Sequence, residues 1–126
     1  MKETVHTDAA PAAVGAYSQA TTDGDLVFTA GQIALTPDGD LRDDASVAEQ
    51  TEQVLNNLVA VLDEAGAAPE DVLKTTVFLA DIDDFDEMNE TYADYFDESP
   101  PARSAVEVGA LPKGADVEIE AVAVVE

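Results

Sequence analysis

Ser99-Pro100-Pro101-Ala102-Arg103-Ser104-Ala105-Val106-Glu107, with the stretch Asp116 to Val125 that follows it, decides how the chain folds. Pro101 fixes its own φ, and Pro100 is pushed toward extended geometry by the proline after it. From Ala102 to Val108 the side chains alternate, with Arg103, Ala105 and Glu107 on one side and Ala102, Ser104, Val106 and Val108 on the other. The second stretch alternates too: Glu118, Glu120, Val122 and Val124 oppose Val117, Ile119, Ala121 and Ala123. Gly109 to Ala115 between them reads as a hairpin connection. Pairing the two strands with their apolar faces together puts Arg103, Glu107, Glu118 and Glu120 on one polar face. An arginine beside carboxylates on rigid strands suits gripping a small anion while a glutamate handles a proton or a water. The same residues also suit a structural cross-strand ion pair.

Scarcity singles out that arginine. The chain has 126 residues, with 28 acidic and 5 basic side chains and a formal charge of −23. Apolar residues nevertheless make up 46%, the content of a folded core rather than of an acidic disordered chain. The acids gather in helix faces and turns: Asp38, Asp40, Asp43 and Asp44, then Asp81, Asp83, Asp84, Asp86 and Glu87. Their repulsion fades at molar salt, where the Debye length is about 3 Å, so the composition points to a high-salt cytoplasm. Nucleic acid and anionic membranes are poor partners for so few Lys and Arg. Cysteine is absent, which leaves no thiolate nucleophile, no disulfide and no cysteine zinc site, and a Ser-His-Asp triad or a histidine-based metal centre would have to depend on His6, the single histidine, in an edge strand near the N-terminus. Met1 to Ala20 has no basic leader followed by an apolar run, and no run of eighteen apolar residues occurs. The expectation is one soluble, cytoplasmic domain over residues 1–126.

Along the chain, Glu3 to Thr7 forms a first strand. A small-residue loop follows, leading to Tyr17, whose ordinary reading is a partly buried ring with a bonded hydroxyl. Asp23-Gly24-Asp25 is a hairpin turn, and Leu26 to Leu35 is a strand with Gly31 as a bulge or close-approach point. Ser46-Val47-Ala48-Glu49 is a capping box opening a helix that Gly66 and Pro69 end, with Glu52, Asn56 and Asp63 on its solvated side. Val72 to Ala80 reads as a central strand covered on both faces. A second helix runs from Asp84 to about Phe96, with Glu87 at its box position and Phe85, Met88, Tyr92 and Phe96 as its apolar stripe. Asn89 beside that stripe is either bonded to backbone or exposed at a crevice. The order β-β-β-α-β-α-β-β predicts an α+β fold, one mixed sheet of about six strands with both helices on one face. The other face, half apolar and half charged, calls for burial between subunits of a homo-oligomer.

These stretches resemble the reactive intermediate deaminase (RidA/YjgF) family nearly end to end. The resemblance is carried by Ala9 to Ala20, Gly31-Gln32-Ile33, Lys74 to Asp81, Met88-Asn89-Glu90-Thr91-Tyr92, Pro101 to Val108, Leu111-Pro112-Lys113 and Val117-Glu118-Ile119-Glu120-Ala121. It implies a chorismate-mutase-like fold, a homotrimer with sites between subunits, and cofactor-free hydrolysis of 2-aminoacrylate and 2-iminobutanoate to 2-keto acids and ammonia. On that resemblance Arg103 clamps the substrate carboxylate and Glu118 holds the attacking water. Tyr17, Ala30, Gly31, Asn89 and Ala105 then fall at substrate-binding positions. Three residues depart from the family pattern: Ala105 where cysteine is common, Ala30 where serine is common, and Ala16 where proline is usual. Competing readings are a non-catalytic keto-acid sensor using the same cleft, a ribonuclease or translation inhibitor, which the charge opposes, and a chorismate mutase, for which cations are too few.

Overall fold

Ser46 starts the first helix by accepting a hydrogen bond from the Glu49 N–H at 3.1 Å while the Glu49 carboxylate accepts from the Ser46 N–H at 3.2 Å. That reciprocal cap opens α1 (Val47–Ala65), and Gly66, at φ 90°, closes it in the left-handed region. The computed structural model describes residues 1–42, 44–96 and 98–126, so Asp43 of the turn acids lies outside the described residues. The remaining elements are β1 (Glu3–Val5), β2 (Ala20–Thr22), β3 (Leu26–Thr29), β4 (Val72–Leu79), α2 (Phe85–Ala93), β5 (Ala102–Glu107) and β6 (Val117–Val124). They form one six-stranded sheet in the order β1-β2-β3-β6-β4-β5, antiparallel throughout except for the parallel β4–β5 pair. The expected α+β architecture, a mixed sheet with two helices on one face, is the observed one.

One sheet face supplies the core. Val54, Leu55 and Leu58 of α1 and Met88 and Tyr92 of α2 pack with Val77, Leu79, Val117 and Ile119, while Val61 and Leu62 pack with Val27, Ala121 and Ala123. Gln50, fully buried, fastens α1 to the start of β6. Its amide donates to the Asp116 carboxylate at 2.8 Å and to the Ala45 carbonyl at 3.2 Å, and its oxygen accepts from the Asp116 N–H at 3.1 Å.

Five expectations change. Gly109 to Ala115 is not a hairpin connection: β4 lies between β5 and β6, so this segment carries the chain past β4. The shared polar face of Arg103, Glu107, Glu118 and Glu120 therefore does not exist. Arg103 is opposite Thr75 and Glu107 opposite Leu79, on the helix-covered face, whereas Glu118 is opposite Phe78 and Glu120 opposite Thr76, on the open face. In the single chain β4 is covered on one face only: Thr75, Val77 and Leu79 are buried, while Lys74, Thr76 and Phe78 on the open side are half-buried. The second helix also ends earlier, at Ala93, and Asp84 makes no side-chain cap. Asp81 instead accepts from the Asp83 N–H at 2.9 Å, and Glu87 leaves its own helix to accept from the Ala48 N–H in the first turn of α1 at 3.1 Å. The polar side of α1 is partly engaged, since the Tyr95 hydroxyl donates to Asn56 Oδ1 at 2.7 Å.

Gln50→Ala removes the buried fastening between α1 and β6. Urea denaturation is expected to show a loss of about 2–4 kcal/mol, against less than about 0.5 kcal/mol for the exposed Asp63→Ala.

Candidate functional site

Glu118 reaches the open face from the middle of the sheet, and its surroundings are built by a bulge. Phe28 is paired with Val122 but Gln32 with Ile119, so four residues on one strand span three on the other. Within that extra turn of chain, the Gly31 Cα passes so close to Glu118 that a Cβ at this position would lie 2.5 Å from Oε2 and 2.8 Å from Cδ. Gly31 is thus both bulge and close-approach point, as the sequence suggests. Burial, and then the neighbouring Glu120 charge, push the Glu118 carboxyl above the ordinary glutamate range.

A cavity of about 560 Å³ opens over this carboxyl, and its walls include Pro11, Val14, Tyr17, Ala30, Gly31, Ile33, Leu35, Pro112 and Lys113. Gln19, buried, holds the loop that forms one wall: its oxygen accepts from the Thr7 N–H at 2.7 Å, and its amide donates to the Thr7 carbonyl at 3.0 Å and the Pro11 carbonyl at 2.8 Å. Tyr17 is 55% exposed at the rim, not the partly buried ring of the ordinary reading.

Arg103 lies in a second cavity, of about 490 Å³, with Asn89, Tyr92, Ala93, Phe96, Pro100 and Pro101. Asn89 faces this crevice and accepts a hydrogen bond from the Arg103 guanidinium at 2.7 Å. The guanidinium carbon sits 4.7 Å from the Tyr92 ring centroid and 5.2 Å from that of Phe85. Tyr92 is itself fixed by a 2.7 Å bond between its hydroxyl and Thr75 Oγ1. Among the described residues no carboxylate comes within 4.0 Å of Arg103, so the cross-strand ion pair is absent there. Ala105 lines neither cavity; it packs against the core cluster of Val77 and Ile119.

One chain therefore brings together Tyr17, Ala30, Gly31 and Glu118 on one side of the sheet, and Asn89 and Arg103 on the other. The sequence reading missed Phe85 and Tyr92 as the stacking platform of the arginine, taking them as core stripe. The signal was their position on the same helix face as Asn89. It also missed Gln19 as the anchor of the loop.

A family model described as Endoribonuclease L-PSP matches residues 7–125. The chain belongs to this family. Within the L-PSP family, a RutC family protein of Pyrococcus horikoshii is 50% identical over 123 residues, covering 98% of each chain. The 2-iminobutanoate/2-iminopropanoate deaminase of Rattus norvegicus is 46% identical over 124 residues, 98% of this chain and 90% of that protein. The crystal structure of E. coli TdcF with bound serine matches with a TM-score of 0.93 at 41% identity, over 98% of this chain and 99% of that one. Among the described residues no helix is long and apolar enough to cross a membrane, and no cluster of three or more His, Cys, Asp or Glu could hold a metal ion.

Two outcomes follow from the Glu118 environment. Gly31→Ala is expected to turn the carboxylate out toward water, which NMR titration would read as a pKa falling back toward the ordinary glutamate value. Because the folded-state pKa is raised, the neutral form of Glu118 supports the fold fully below the ordinary glutamate value. That support disappears as pH rises through the raised pKa. Glu118→Gln should therefore unfold at a higher temperature than wild type at neutral pH, with the difference vanishing in acid.

Proposed function

We propose that this protein hydrolyses short 2-imino and 2-enamino acids, such as 2-iminobutanoate and 2-aminoacrylate, to 2-keto acids and ammonia. The site is one that two copies of the chain build together: Arg103 and Asn89 come from one copy, and Tyr17, Gly31 and Glu118 from the other. Three copies in a closed ring would form three such sites. The observation that carries the reading is the guanidinium of Arg103. It is held flat on two rings and aimed by Asn89, with N–H donors left over for a carboxylate. The raised pKa of Glu118, on the opposite face, gives the proton carrier that such a reaction needs. The exposed apolar side chains of the open face, Phe28 and Val106, give a second copy something to cover.

In this mechanism Arg103 holds the substrate carboxylate and water adds to the electrophilic carbon of the C=N bond of the iminium. As the C–O bond forms, the π pair passes to nitrogen and Glu118 accepts a proton from the water. Glu118 then returns that proton to the amine nitrogen, the C–N bond breaks as C=O forms, and the hydroxyl proton leaves with ammonia as ammonium. No covalent nucleophile is required, and positioning plus one proton carrier does the work. The deaminase name of the rat relative and the serine in the E. coli structure, an amino acid of similar size, favour a small amino-acid-derived ligand. The charge of −23 weighs against RNA as substrate.

The test couples a threonine dehydratase to this protein at high salt and follows 2-ketobutyrate release. Wild type should accelerate it, Arg103→Ala should not, and Glu118→Gln should lose about 100-fold or more while still binding keto acid by calorimetry. Equal release with and without wild-type protein would leave the sensor reading in place of the enzyme.

A further inference from the structure

Lys113 is the one described residue other than glycine with a positive φ, at 57°. It is followed by Gly114 at φ 74°, so two successive residues are left-handed. For a residue with a Cβ that conformation costs roughly 1 kcal/mol, and a glycine at 113 would avoid it. The turn is pinned at both ends: Leu111 and Ala115 are buried against Ile33, and the Gly114 and Ala115 N–H groups close back onto Leu111 and Pro112 at 3.2 and 3.1 Å. A strained conformation that its surroundings enforce is a pointer to use.

The placement of the side chain says what the use is. Lys113 lines the cavity that holds Glu118, and it is the only cation among the residues lining it. Among the described residues its ammonium has no hydrogen bond and no carboxylate within 4.0 Å, and the Glu118 shift comes from burial and Glu120, not from Lys113. Only five basic residues are present in a chain of charge −23. In a chain so rich in carboxylates, an unpaired ammonium on the cavity wall is a place where an anionic substrate is attracted rather than repelled. We propose that Lys113 is a substrate-binding residue: it steers the anionic substrate into the Glu118 cavity, where Arg103 of the neighbouring copy takes the carboxylate, and makes the site selective for anionic over neutral imines. This rests on the imino-acid reading of the site.

The experiment is a charge series at position 113, with initial rates on 2-iminobutanoate at one fixed salt concentration. KM is expected to rise about threefold in Lys113→Gln and about tenfold in Lys113→Glu, as for a solvent-exposed ion pair lost and then reversed. kcat should stay within about twofold, and Lys113→Arg should restore the wild-type KM. Lys113→Gly, which keeps the backbone shape without the charge, should match Lys113→Gln in KM and melt no lower than wild type. An unchanged KM in Lys113→Glu, or kcat falling in parallel with stability, would overturn the proposal. Because that series is read against a working wild type, its failure is distinct from failure of the deaminase reading, which would show as no acceleration by wild type at all.

Discussion

The parallel pairing of β5 with β4, Thr75 opposite Arg103, governs where every charged group of interest ends up. A side chain on a sheet belongs to one face, and inserting β4 between the last two strands of the chain gives Arg103 and Glu118 opposite faces. The arginine then meets α2, whose Phe85, Asn89 and Tyr92 lie on one helical face and form its seat. The glutamate meets the bulge at Gly31. Each half is well formed, and neither contains the other's key group, which is why the functional reading invokes a neighbouring copy.

The local signals were readable from residues alone, and the long-range ones were not. The capping box at Ser46, the glycine stop at Gly66, the turn at Asp23-Gly24 and the bulge near Gly31 are dictated by side chains a few positions apart. Which strand neighbours which is a different kind of information. Gly109 to Ala115 has the composition of a tight turn, and nothing in those seven residues says that a third strand will lie between its flanking strands. The error over the shared polar face follows from that single adjacency. Glu87 misled for a similar reason: it has the spacing to cap its own helix, but its carboxylate finds a better donor on α1, 39 positions away. The candidate site residues themselves were legible chiefly through family likeness, with the scarcity of cations as the independent physical clue.

The acidity has a local cost as well as a global one. Asp84 has its carboxyl pushed above the ordinary range, first by burial and then by Asp81, Asp116, Glu87 and Asp83. Such crowding beside the helix junction opposes folding wherever ions do not screen it. The apolar core is ordinary by comparison, so the electrostatic strain lies at the surface rather than in the interior.

The loop from Ala12 to Ser18 makes no backbone–backbone hydrogen bond among the described residues; the amide of Gln19, the residue that follows it, bonds Thr7 and Pro11 on the chain leading into it. Its residues contribute to a cavity wall without taking part in the ladder that keeps the strands in register. Remodelling this rim, in length or in bulk, therefore alters which guests are admitted while the scaffold beneath keeps its shape, so selectivity and foldability can be tuned apart.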